Sequence, residues 1–267
     1  MPTAQSVLEA VDQGIYYARR EGLLDYQFDW PLFGSGEVGK AIKDYAIRYS
    51  WKAPTHWKAG LVLKSGKVPV EQPAFFKTKN GAQIIKGLVD DVHRVTQRIV
   101  LGAPLASSFK SWRQELKSRT VNNQIEHTII FRPIKKQQYR EMRLRISNGL
   151  PVTMRMTDER GRVLVQHYRW TKRGKKHLLE GLKFERDNRL LMEENFHYAK
   201  SKDILLLARI ERFSNPADAA QAGSDVKTVI KFDRRIPNQG LPIQAFKTAA
   251  PKPVQSETKP KTSMKDR

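Results

Sequence analysis

The segment of this chain that comes closest to a catalytic pattern is residues 34–41. Its sequence, Gly-Ser-Gly-Glu-Val-Gly-Lys-Ala, nearly fits the phosphate-loop pattern G-x-x-x-x-G-K-S/T, in which backbone amides and the lysine hold phosphates. Ala41 replaces the hydroxyl that binds magnesium, and Asp29-Trp30-Pro31 stands where a buried parallel strand should precede the loop. The sequence therefore predicts a hairpin loop, with nucleotide binding as the alternative.

Histidine and carboxylate side chains lack the spacing of a metal site or an acid–base pair. The six histidines are scattered, and Asp90 and His93, which share a helical face, are interpreted as a surface ion pair. Glu193 and Glu194 are neighbours on a predicted strand, so they point to opposite faces and cannot form a carboxylate pair. The absence of cysteine excludes disulfides and thiolate metal sites. We predict no enzyme, no metal and no cofactor.

Basic and aromatic side chains alternate in residues 168–176, predicted to be a cationic hairpin tip, and basic side chains recur in residues 132–136. Both segments suit contacts with phosphate, in nucleic acid or in lipid headgroups, and the alternative is a solvated turn. The residues predicted to contact an anionic headgroup or a polyanion are Arg143, Arg145, Arg169, Lys172, Arg173, Lys175 and Lys176.

The whole chain is strongly basic, since 49 Lys and Arg against 27 Asp and Glu give a formal net charge of +22. This excess attracts polyanions, anionic lipid surfaces or acidic proteins, and the alternative is a general basic bias. The longest apolar run, residues 204–208, is far shorter than the roughly 20 residues that span a bilayer. The first residues lack the basic and apolar regions of a signal peptide. Residues 247–267, rich in proline and lysine, are predicted to be a disordered basic tail.

Strands must position most of these side chains, because alternation with a period of two dominates residues 139–170. In residues 142–146 Met, Leu and Ile alternate with Arg, and in residues 152–157 Val and Met alternate with Thr and Arg. Asn148-Gly149 and Arg160-Gly161 accept positive φ, so the runs can fold back on one another. The pattern predicts an antiparallel meander with one apolar and one cationic face.

Three other segments have the period of a helix. They are residues 3–22, which Thr3 caps and Gly22 ends, residues 80–102 with an apolar stripe, and residues 106–117. These helices interrupt the strands rather than alternating with them, which argues against a βαβ fold. The predicted class is α+β, mainly antiparallel β: an incomplete curved β-barrel of about 10–11 strands covered by about three helices.

A series of loose motifs resembles the outer-membrane lipoprotein carrier (LolA-like) superfamily. In order, they are the segment YSWKAPTHWK at residues 49–58, Phe131-Arg132-Pro133, the turns of the meander, and a closing strand followed by the N-x-x-L-P-x-x-x-F ending of residues 238–246. The resemblance covers residues 3–246. It implies a curved antiparallel barrel closed by helices, an apolar cavity that holds acyl chains, and a periplasmic location if a leader has been removed.

We therefore expect residues 1–246 to form one non-enzymatic lipid- or lipoprotein-binding domain. Acyl chains would lie between sheet and helices, and the basic rim would orient an anionic headgroup. The alternatives are a basic nucleic-acid-binding protein and a structural subunit of an envelope assembly that docks acidic partners. The residues expected to line the cavity are Trp57, Leu61, Leu63, Leu88, Val92, Ile99, Leu144, Ile146, Val152 and Met154.

Overall fold

A computed structural model describes residues 2–32, 36–53, 56–69, 71, 74–97, 104–201, 203–214 and 226–242. These ranges contain thirteen strands and five α-helices, so the predicted class, α+β and mainly antiparallel β, is confirmed. The strands form two sheets that do not close into a barrel, and they outnumber the ten or eleven expected. The predicted tail at residues 247–267 lies outside the described residues, and so does Ile99.

The larger sheet is an antiparallel meander of nine strands. Strands consecutive in the chain are neighbours throughout, and short connections join those from β4 to β11. Its strands are β4 (Trp112–Val121), β5 (Gln124–Pro133), β6 (Tyr139–Ser147), β7 (Leu150–Asp158), β8 (Val163–Arg173), β9 (Lys176–Arg186), β10 (Arg189–Ser201), β11 (Ile204–Ser214) and β12 (Val226–Lys231).

Tight turns set the register of this meander. The residue pairs 122–123, 148–149 and 187–188 all have positive φ, which suits the two-residue turns of β-hairpins. The predicted turns at Asn148-Gly149 and at Gly161, whose φ is +79°, are confirmed. On β6 the predicted alternation is also confirmed, because Met142, Leu144 and Ile146 are buried while the arginines between them are exposed.

The alternation predicted for β7 is interrupted by a β-bulge. Arg145 pairs with Thr153, but Ile146 pairs with Pro151, which leaves Val152 as the extra residue. Pro151 therefore takes the buried position that strict alternation assigns to Val152. The sequence pattern alone does not reveal this shift, because both side chains are apolar.

The smaller sheet contains four strands in the order β13 (Asp233–Pro237), β1 (Asp25–Pro31), β2 (Tyr45–Lys52) and β3 (His56–Leu63). β1 and β2 are an antiparallel pair, which does not fit a phosphate loop, since that loop follows a parallel strand. The connection between them is not a plain hairpin loop, however, because it contains helix α2 (Gly36–Ile42).

The first predicted helix ends earlier than its pattern suggests. Helix α1 (Ala4–Gly14) begins at a capping box between Thr3 and Ser6, but Ile15 leaves the helix and bridges to His177 on β9. Tyr16 then donates its N–H to the His177 carbonyl at 2.8 Å, and a 3-10 turn follows at residues 18–21. Pairing with the sheet therefore replaces the rest of the predicted first helix.

The predicted third helix, residues 106–117, is wrong. Helix α5 (Leu105–Ser108) is a single turn, and from Trp112 onward the chain is β4, which pairs with β5 along its whole length. The ladder of backbone hydrogen bonds with a neighbouring strand outweighs the helical spacing of Phe109, Trp112 and Leu116. The remaining helices are α3 (Ala74–Lys77) and α4 (Lys79–Val95).

Two hydrophobic cores cover the inner face of the larger sheet. The smaller sheet shares one core with β9–β12. There the rings of Phe28 and Trp30 pack edge-to-face with the ring of Phe232, with centroids 5.0 and 5.2 Å apart. Helix α1 shares the other with β5–β7, through residues such as Leu8 and Leu144. The region between these two cores is less completely filled.

None of the described helices has the length and apolar character needed to cross a membrane.

Candidate ligand-binding cavities

The first cavity, called the α1 cavity, has a volume of about 340 Å³ and lies where residues 15–18 and α5 cover the larger sheet. Its walls are mostly apolar, with tyrosine and glutamine side chains among them. Because inner-face side chains from several strands meet there, the meander itself builds the pocket. Sheet residues on its wall include Met142, Met154, Leu178, Leu182, Tyr198 and Leu205.

A buried carboxylate fixes the cover of the α1 cavity. Asp12, only 1% exposed, accepts hydrogen bonds from the Tyr17 hydroxyl at 2.7 Å and from the backbone amides of Leu105 at 2.8 Å and Ala106 at 2.9 Å. Burial and the adjacent carboxylate raise the pKa of Tyr17, which keeps its hydroxyl protonated as a donor. Tyr17 and Leu105 line the cavity, so Asp12 positions both sides of its cover.

The second cavity, called the α4 cavity, has a volume of about 610 Å³ and lies between α4, β1 and the larger sheet. Leu88, Val92 and Val95 face it from α4. Met156 and Gln166 border both cavities, so the two spaces are neighbours with part of a wall in common. The other sheet residues on its wall are Tyr139, Leu164, Phe184, Met192, Glu194, Arg212 and Ile230.

One charged pair lies on the wall of the α4 cavity. Glu194 on β10 is 2% exposed and faces Arg212 on β11, its direct cross-strand neighbour, with Nη2 of the arginine 2.8 Å from Oε1. The Arg212 side chain is 30% exposed. Moving two charged groups out of water costs about as much free energy as their attraction returns, so the intact pair adds little to stability. It does give the cavity a polar point that could orient the end of a ligand.

Aromatic and polar contacts hold α4 over the smaller sheet. The Nδ1 atom of His93 lies 2.8 Å from the Tyr49 hydroxyl, and its ring stacks on Trp57 with centroids 3.8 Å apart. Burial lowers the pKa of His93, while Asp90 acts in the opposite direction. The interpretation of Asp90 and His93 as a surface ion pair therefore needs correction, since the histidine ring serves mainly as a packing surface.

Three of the residues predicted to line a cavity do so. Leu88 and Val92 lie on the wall of the α4 cavity, and Met154 lies on that of the α1 cavity. Leu144 and Ile146 belong instead to the filled core beneath α1. These two residues face inward as expected, but helix side chains occupy the space above them.

The other predicted lining residues lie elsewhere. Trp57 stacks on His93, Leu61 and Leu63 are half-buried on β3, and Val152 is displaced by the β-bulge. Sequence reasoning missed the wall residues of β8–β11. Alternation in residues 164–170, where Leu, Gln, Tyr and Trp share one face, is the signal that could have indicated those on β8.

The predicted anion-contacting residues fall into two groups. Lys172, Arg173 and Lys175 are exposed at the β8–β9 hairpin tip, and Lys176 beside them forms an ion pair with Glu21. Arg143, Arg145 and Arg169 are exposed on the outer face of the larger sheet. The structure therefore does not bring all seven together around a cavity mouth.

Several of these cations already have acidic neighbours. Arg143 contacts Glu141 at 2.7 Å, and Arg169 contacts Glu193 at 3.2 Å and Glu180 at 3.4 Å.

Within the described part of the chain, no group of three or more His, Cys, Asp or Glu residues could hold a metal ion.

Comparisons of the chain with known protein families, with curated proteins and with solved structures found no match. The likeness to the outer-membrane lipoprotein carrier superfamily therefore rests on the sequence motifs described above. The asparagine that begins its closing motif has a structural role: Asn238 accepts from the Leu24 amide at 2.7 Å and donates to the Gly22 carbonyl at 2.8 Å.

Proposed function

We propose that this protein is a non-enzymatic carrier that holds acyl chains of a lipid or lipoprotein on the inner face of its larger sheet. The observation that supports this most is the pair of adjoining, mainly apolar cavities, one beneath residues 15–18 and α5 and the other beneath α4. Both volumes, about 340 and 610 Å³, lie within the range of roughly 300–1,000 Å³ that is typical of small-molecule sites.

The chemistry of the walls favours acyl chains over a polar ligand. Aliphatic, methionine and aromatic side chains make up most of both walls, and methionine adapts readily to flexible chains. Each buried methylene group contributes about 0.8 kcal/mol, so one acyl chain can supply the affinity without a charged contact. Glu194 and Arg212 would then orient a polar group at one end.

The motif resemblance supports the same function and suggests a location. A lipoprotein carrier of this kind would act in the periplasm, which requires export of the chain. Its partners would be lipid or lipoprotein acyl chains, with an anionic membrane surface or an acidic protein as a further contact.

A titration with a fluorescent fatty acid tests the cavities directly. We expect the purified protein to bind the probe, and we expect the substitution Met156→Trp to weaken binding at least tenfold, because Met156 borders both cavities and a larger ring would occupy their common part. Val68→Trp adds the same ring at a side chain that is 73% exposed, and binding should be unchanged. Absence of binding to the unmodified protein would contradict the proposal.

A further inference from the structure

A groove of about 700 Å³ lies on the outer face of the larger sheet, opposite the cavities. Four arginines, Arg132, Arg140, Arg143 and Arg155, line it around a single carboxylate, Glu141. Thr157, Gly161 and Val163 complete its wall. The groove is therefore built from β5, β6, β7 and the start of β8.

Positive charge exceeds negative charge in this groove. Glu141 lies 3.1 Å from Arg132 and 2.7 Å from Arg143, and Arg132 also reaches Glu115 at 2.9 Å. Two carboxylates thus face four guanidinium groups. Arg143 and Arg155 are direct cross-strand partners, an arrangement that destabilises a sheet because like charges repel. An anion bound between them would remove this repulsion.

The neighbouring loop adds an apolar element to the same end of the sheet. Residues 134–138 connect β5 to β6, and only Pro133 separates them from Arg132. Ile134 is 61% exposed, and the next two residues, Lys135 and Lys136, are exposed as well. An exposed aliphatic side chain beside lysines suits the boundary between headgroups and acyl chains in a bilayer.

The lining of the groove argues against single-stranded nucleic acid as its ligand. Single-stranded nucleic acid is bound largely by stacking its bases on aromatic side chains, and none of the described residues that line this groove is aromatic. A phospholipid headgroup needs only the charge of the phosphate, which closely spaced guanidinium groups bind well.

We propose that this groove and the Ile134 loop form a docking site for an anionic phospholipid surface. The groove binds headgroup phosphates, and Ile134 enters the interfacial layer. Gln138, the last residue of this loop, and Tyr139, the first residue of β6, form part of the wall of the α4 cavity. Docking would thus bring that cavity next to the membrane. The use of this proximity rests on the proposed carrier function, whereas the docking site itself is independent of that function.

Cosedimentation with vesicles tests the site. We expect the protein to bind vesicles of phosphatidylcholine mixed with phosphatidylglycerol, not to bind pure phosphatidylcholine, and to lose binding as salt rises. The double substitution Arg143→Ser/Arg155→Ser should reduce vesicle affinity roughly thirtyfold, since each cation near an anionic surface contributes about a fivefold factor. The control Arg119→Ser/Lys172→Ser removes the same charge at the opposite end of the strands and should have a much smaller effect.

The apolar contact has its own matched pair of variants. Ile134 and Ile125 are both 61% exposed and lie at or just beyond opposite ends of β5. We expect Ile134→Ser to lower vesicle affinity severalfold and Ile125→Ser to leave it unchanged, because only the first contacts the bilayer.

Three results would overturn the docking site. They are an equal loss of vesicle affinity in the two double variants, binding of an oligonucleotide without binding of vesicles, or binding of inorganic phosphate without binding of vesicles. Fluorescent fatty acid uptake should be the same in all of these variants, since none of the substituted residues borders a cavity. A loss of vesicle binding with normal uptake separates failure of docking from failure of the carrier function.

Discussion

The two faces of the larger sheet are made by the same strands but present opposite chemistry. On the inner face, Met142 and Leu144 lie among apolar partners, and the charged pair Glu194–Arg212 is largely withdrawn from water. On the outer face, the arginines of ion pairs, such as Arg119 beside Glu126, are open to solvent. From this comparison we predict that removing a charge on the inner face destabilises the fold, whereas removing one on the outer face changes stability little.

The largest effect is expected from removing one partner of the inner-face pair. Arg212→Met removes the cation that lies 2.8 Å from the buried Glu194 carboxylate, and the free energy of unfolding should fall by about 4 kcal/mol. Replacing both residues, as Glu194→Leu/Arg212→Met, should restore most of the loss because no buried charge remains. Urea denaturation of the three proteins measures this, and a double variant as unstable as the single one would contradict the explanation.

A slightly smaller effect is expected at the cover of the α1 cavity. Asp12→Ala removes three hydrogen bonds to a buried carboxylate, and we expect the free energy of unfolding to fall by about 3 kcal/mol. Tyr17→Phe removes only one of these bonds and should cost about 1 kcal/mol. Thermal denaturation of both variants tests the order, and equal losses would show that the backbone amides of α5 contribute nothing.

The smallest effect is expected on the outer face. The Arg119 side chain is 66% exposed and contacts Glu126 at 2.7 Å, so Arg119→Ser should change the free energy of unfolding by about 0.5 kcal/mol. The change should shrink further at high salt, because solvent ions screen an exposed pair. A loss comparable to that of Arg212→Met in the same urea experiment would remove the distinction between the two faces.

The same contrast explains what the sequence could predict. On β6, alternation of Met, Leu and Ile with Arg correctly indicated which face is buried, because period two is a local property of one strand. Turn positions such as Asn148-Gly149 were equally predictable, since positive φ depends on residue type.

Features that depend on distant partners could not be predicted in this way. Trp112 begins a strand despite its helical spacing, because β5 offers a full ladder of hydrogen bonds. Val152 loses its inward position to a bulge whose cause lies in the pairing with β6. Likewise, Leu144 is inward-facing but fully packed, and only the placement of α1 decides that the open space lies instead beside Met154 and Met156.

Native mass spectrometry of gently purified protein tests the carrier function most directly. We predict that a fraction of the unmodified protein carries additional mass in the range of a lipid or fatty acid, released on denaturation, and that Met156→Trp carries markedly less. A single mass equal to that of the polypeptide, together with no uptake of added fatty acid, would contradict the claim that the inner-face cavities hold acyl chains.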